Sequence, residues 1–102
     1  MSHRSFDESV RRALDSLPPQ IGERLRNVAV VVEDEDPDDP DLFGLFRDEP
    51  YLPATIAIYR VPLQESFTDP GELEQEIRIT VLHELGHYFG MEEDQIADLG
   101  YD

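Results

Sequence analysis

The sequence predicts one small domain of mixed α and β structure, and three observations carry that reading. Two β-prone runs, Val28 to Val32 and Thr55 to Arg60, stand apart in the chain. Helical periodicity flanks them, over 6–17 and 69–89. The chain has 102 residues, 39 % of them hydrophobic, which suits a single domain with a modest core.

Ser5-Phe6-Asp7-Glu8 has the pattern of a capping box, in which the Ser5 hydroxyl accepts from the Glu8 amide and Glu8 reaches back. Phe6, Val10, Leu14 and Leu17 follow at helical spacing. An amphipathic helix is therefore expected from Phe6 to Leu17, stopped by Pro18-Pro19. A second helical piece is expected over Gln20 to Arg26, with Ile21 and Leu25 inward. Val28-Ala29-Val30-Val31-Val32 is continuously apolar and mostly β-branched, which predicts a strand buried on both faces. It runs into Glu33 to Asp41, where seven of nine residues are acids and two are prolines, a solvated loop. Asp34, Asp36 and Asp38 alternate there as in a calcium loop, but the glycine and the closing glutamate of such a loop are missing.

Leu42 to Phe46 is apolar around Gly44 and reads as a short strand or turn. Thr55 to Arg60 alternates, and Pro53 and Pro62 bracket it, which favours an edge strand. Asp69-Pro70-Gly71-Glu72 is a helix start, with Asp69 as N-cap and Pro70 at the first position. That helix is expected to reach about Phe89. Leu73, Ile77, Val81 and Leu85 lie along one side, and Ile79, Leu82 and Phe89 along another. A helix apolar on so many sides belongs at the centre of the domain. A last short helix is expected to start at Asp94 as N-cap, to include Ile96 and Leu99, and to end at Gly100.

The charge balance narrows the functional classes. There are 24 acids against 8 bases, every base is Arg, and the formal net charge is −16. Such a surface repels nucleic acid and anionic membranes, so neither is an expected partner. With no cysteine, disulfides and thiolate metal sites are excluded. No N-terminal stretch resembles a signal peptide and no run is long enough to span a bilayer, so the cytoplasm is the expected location.

The chemistry concentrates in His83-Glu84-Leu85-Gly86-His87-Tyr88-Phe89-Gly90-Met91-Glu92-Glu93-Asp94. On a helix, residues four apart share a face, so both imidazoles can point at one ion and supply two of the nitrogens that zinc prefers. Glu84 sits beside them as the candidate base, placed to take a proton from water that the metal activates. A third protein ligand is normal for zinc. The other histidine is His3, expected to fray at the N-terminus, so a carboxylate is expected instead: Glu92, Glu93, Asp94 or, least favoured, Asp98. Gly90 can adopt a left-handed conformation and turn the chain back toward the ion. Glu93 is favoured over Asp94 on spacing, because Asp94 reads as a helix cap.

The bland alternative makes His83 and His87 ordinary core or surface histidines. Gly86 in mid-helix either permits a close approach or relieves crowding. Tyr88 and Tyr101 are candidate oxyanion stabilisers, though each is more often a packing aromatic, and Met91 and Phe89 read as core.

In these residues the chain resembles the minimal zincin-like metallopeptidase family, small bacterial proteins with a His-Glu-x-x-His-x-x-Gly motif. The Leu-Phe-Gly-Leu-Phe piece and the Ile-Ala-Ile-Tyr-Arg strand add to the likeness. The resemblance implies an α+β zincin-like fold, a short mixed sheet packed on a central active-site helix. It implies one zinc ion, held by His83, His87 and the acidic position that maps onto Glu93, with Glu84 as base. It also implies that the strand near Ile56 to Arg60 lies beside the helix and pairs with an extended peptide substrate. The expected activity is hydrolysis of a peptide or protein. The alternatives are a non-catalytic, metal-dependent binding module and a metal chaperone or sensor.

Overall fold

The structure, a computed structural model, describes residues 1–17 and 19–98, apart from the side chains at positions 20, 21, 93, 96 and 97. In chain order the elements are α1 (His3–Asp15), α2 (Pro19–Arg24), β1 (Val28–Glu33), β2 (Gly44–Arg47), β3 (Ala54–Tyr59), α3 (Arg60–Ser66), α4 (Pro70–Tyr88) and α5 (Glu93–Asp98). The inward turn expected of Ile21, and the expected end of the last helix at Leu99 and Gly100, lie outside the described residues.

The strands form a mixed sheet in the order β1-β3-β2. β1 runs parallel to β3, and β2 antiparallel to it. Two expectations therefore exchange places. β3, expected at an edge, is the central strand, and Ile56, Ala57, Ile58 and Tyr59 are each 0 % exposed. Its bracketing prolines cost it nothing: Pro53 precedes the strand, and Pro62 falls in the first turn of α3, where no backbone N–H is needed. β1, expected to be buried on both faces, is an edge strand and only half-buried. An unbroken apolar run allows central burial but does not supply the second neighbouring strand.

Strand alternation sorts the side chains. Val30 aligns with Ile56, Val32 and Gly44 with Ile58, and Phe46 with Ile56, so these residues share one face of the sheet. The helices cover that face. Leu73, Ile77, Val81 and Leu85 of α4 are buried, as their spacing predicts, together with Phe6, Val10 and Ala13 of α1 and Leu63 of α3. No helix among the described residues is long and apolar enough to cross a membrane.

The first helix begins earlier than the capping box suggests. Ser2 is the cap, its side chain accepting from the Ser5 amide, and His3 is the first helical residue. The Gln64 side-chain amide donates to the Met1 carbonyl at 2.7 Å. The helix stops at Asp15, with Ser16 as C-cap. Arg12 reaches across to Glu74 on α4 at 2.6 Å. Both groups are about half exposed, so the pair contributes little stability beside the burial of Phe6.

Candidate metal centre

α4 starts as its sequence predicts. The Asp69 side chain accepts from the Glu72 amide at 2.9 Å, and Pro70 occupies the first helical position. From there the helix runs unbroken through His83 and His87. One turn apart, these residues bring their ring centres within 5.0 Å, with the rings inclined at 72°. Two imidazoles that share one zinc at about 2.0–2.1 Å per nitrogen set their ring centres on the order of 5 Å apart. The spacing of the two rings is that of two imidazoles on one such ion. Glu84, beside them in sequence, is 8 % exposed.

The side of α4 that carries these three residues faces β2. A groove of about 430 Å³ runs between them, lined by Leu42, Gly44, Leu45 and Phe46 on one wall and His83, Glu84 and His87 on the other. A second hollow of about 330 Å³ shares Leu42, Gly44, His83 and Glu84, and adds Asp39, Asp41, Glu76, Ile79 and Thr80. β3 packs against α4 as the resemblance implies, but the strand open to a peptide is a different one. β3 is paired on both sides and has no edge to offer, whereas among the described residues β2 pairs only with β3 and keeps a free edge beside the histidines.

Beyond His87 the helix closes on a left-handed glycine. Gly90 has φ 80°, its N–H donates to the His87 carbonyl at 2.9 Å, and the Met91 N–H donates to the Gly86 carbonyl at 3.0 Å. This is the paired bonding of a Schellman motif, and it reverses the chain just after the second histidine. α5 then starts at Glu93, one residue before its expected start. Gln95 satisfies the Glu92 N–H with its side-chain oxygen at 2.8 Å, the back-reaching half of a capping box. Asp94 is thus inside the helix and not its cap, its Oδ1 accepting from the next amide, Gln95, at 3.1 Å.

The side chain of Glu93, the favoured third ligand, lies outside the described residues. Glu92, Asp94 and Asp98 are exposed. Among the described residues, no group of three metal-ligating side chains converges.

The remaining candidates separate clearly. Tyr88 donates its hydroxyl to the Arg24 carbonyl at 3.2 Å and sets its ring edge against Phe46, so the hydroxyl serves the fold. Tyr101 lies outside the described residues. Phe89 is half-buried beneath the Arg24 guanidinium, 4.7 Å from its ring centre.

The acidic loop is more built than its composition suggests. Asp36 is 7 % exposed. Its Oδ1 accepts from the amides of Asp38 and Asp39, and its Oδ2 from the Tyr59 hydroxyl. The Asp38 amide above all, with Tyr59, the Asp39 amide and the nearby Arg47 guanidinium, holds this carboxyl below the ordinary 3.8 against the opposing effect of burial. Burial, followed by the Asp36 contact, raises the Tyr59 hydroxyl. Asp34 is likewise lowered, by its hydrogen bond and charge pairing with Arg60. These carboxylates anchor the loop, so the calcium pattern has a structural explanation.

Sequence reasoning missed Thr80 and Glu76 as neighbours of the groove. Helical spacing could have found them, one and two turns ahead of Glu84. Asp39, Asp41 and Leu42 reach the groove only through the fold of the loop and carry no local signal.

A family model described as zincin-like metallopeptidase matches residues 25–101. No curated protein matches the chain significantly.

Proposed function

The chain belongs to the zincin-like metallopeptidase family, and from that premise we infer that it is a zinc-dependent peptidase whose base is Glu84. The observation that carries the reading is the placing of paired imidazoles and a buried carboxylate along a groove bounded by a free strand edge. His83 and His87 hold the zinc, and Glu93 is the proposed third ligand. When bound, zinc supplies Lewis-acid chemistry, lowering the pKa of water toward neutrality and polarising a carbonyl.

The chain's own residues do the rest. A carboxylate at Glu84 takes a proton on one oxygen from the attacking water, then gives it to the departing amide nitrogen. Near-complete burial strengthens its hydrogen bonding to whatever lies in the groove. The substrate is a peptide or protein segment in extended form. The Tyr59 N–H bonds to the Phe43 carbonyl at 2.8 Å. Antiparallel alternation then turns the main-chain groups of Gly44 and Phe46 toward the open edge, where a peptide can pair with them.

The test combines metal analysis with a peptide library. Wild type should carry close to one zinc per chain and cleave peptides, and a chelator should abolish the cleavage. Glu84→Gln should retain the metal and lose roughly 100-fold or more in kcat. Undiminished hydrolysis by a metal-loaded Glu84→Gln chain would refute the mechanism. Bound zinc without hydrolysis of any peptide would favour a metal-dependent binding module instead.

A further inference from the structure

We propose that Gly44 is a positioning residue for Glu84: the missing side chain lets α4 approach β2 so closely that the proposed base is held in place by the strand itself. The inference rests on the reading of Glu84 as the base.

Gly44 is not there for its backbone freedom. Among the described glycines the positive φ belongs to Gly90, while Gly44 sits in regular antiparallel register opposite Ile58. What the position needs is space. A Cβ built on Gly44 would lie 2.9 Å from Thr80 Cγ2, 3.1 Å from Glu84 Cγ and 3.2 Å from the Ala57 carbonyl oxygen. All three are inside ordinary van der Waals separation.

The three neighbours do not yield equally. The Ala57 carbonyl belongs to the central strand. The Thr80 rotamer is fixed by its hydroxyl, which donates to the Glu76 carbonyl at 2.8 Å. Glu84 presents a side-chain methylene, which a methyl group at position 44 pushes back by a few tenths of an ångström. Its carboxylate lies beyond Cγ and moves with it. A misplacement of about 1 Å can cost on the order of 100-fold in rate, so the smaller shift required here should cost on the order of 10-fold.

The experiment compares wild type, Thr80→Ser and Gly44→Ala/Thr80→Ser, each as the zinc-loaded full chain. Thr80→Ser removes the methyl that makes the shortest contact while keeping the hydroxyl. This relieves the shortest contact and leaves the Glu84 methylene and the Ala57 carbonyl as the groups the added Cβ meets. Two readouts are taken: NMR signals of the Glu84 γ-methylene, and kcat and KM on a cleavable peptide. Wild type should show a nuclear Overhauser contact between the Gly44 α protons and the Glu84 γ protons. Relative to Thr80→Ser, the double variant should show displaced Glu84 signals and a kcat lower by roughly 10-fold. Its KM should stay within about twofold, with equal zinc content.

Unmoved Glu84 signals, or an unchanged kcat, in the folded double variant would overturn the proposal. So would absence of the contact in wild type, which needs no variant to fold. If wild type cleaves nothing, the peptidase reading fails on its own account. The Gly44–Glu84 contact and its displacement would still be decided by the spectra.

Discussion

Phe6 provides a sharp test of how the domain is held together, because it lies outside the region matched by the family model. It is 0 % exposed and among the largest fully buried side chains, in the core cluster with Ile77, Val81 and Leu85 of the helix that carries the site. If α1 is part of the domain's core, Phe6→Ala removes a whole aromatic ring from a packed interior. Such a change costs about 3–5 kcal/mol, the lost transfer energy plus the cavity left behind. A domain of this length has roughly 5–15 kcal/mol in total. The loss should therefore lower Tm by well over 10 °C, at about 4–8 °C per kcal/mol. Urea unfolding with linear extrapolation is the assay, with two controls. Phe6→Leu keeps most of the volume and should cost less than about 2 kcal/mol. Asp7→Ala, on the exposed side of the same turn, should stay within about 0.5 kcal/mol. A Phe6→Ala loss below about 1 kcal/mol would refute the argument and make α1 an appendage.

Three further outcomes follow from particular backbone and side-chain positions. Gly90→Ala forces a Cβ into a left-handed turn and should cost about 1–2 kcal/mol in chemical unfolding. Because that turn redirects the chain toward α5, zinc content at limiting metal should fall with it. Tyr51 has φ 72° and is fully exposed, so Tyr51→Asn, which tolerates this conformation, should raise stability by about 1 kcal/mol; an unchanged or lower Tm would count against strain there. The Asp36 carboxyl is held below its ordinary value, so its stabilising effect is present above about pH 4 and is lost as pH falls through the folded-state value. Asp36→Asn should therefore melt below wild type at pH 7, with the gap closing in acid; a gap independent of pH would exclude this linkage.

Much of the fold was legible where the determinants are local. The cap at Asp69, Pro70 at the helix start and the 73–77–81–85 spacing define α4 from neighbouring residues alone, and the structure keeps each of them. The left-handed turn at Gly90 was legible for the same reason. The roles of β1 and β3 were not, because centrality in a sheet depends on which strands pair, and pairing is a long-range property. α3 was missed because Pro62 reads as a terminator, although in the first turn of a helix it interrupts no hydrogen bond.

The candidate site divides along the same line. Its chemical half, His83, Glu84 and His87, spans little more than one turn and is written in consecutive sequence. The half that shapes it is assembled from afar. The free edge of β2 exists because β3 takes the centre of the sheet, and Gly44 can approach α4 because the paired strands fix its height above the helix. The acidic loop that leads to β2 is tied to the sheet because Asp36 is bonded to Tyr59, at the end of that central strand. A carboxylate in a run of seven acids looks like solvated charge, and only the fold reveals that one of them is buried and bonded. Two residues with weak sequence signal, a glycine that lines the groove and a buried aspartate that ties the loop beside it to the sheet, therefore carry structural roles. Substituting them tests the geometry of the site without touching its donors.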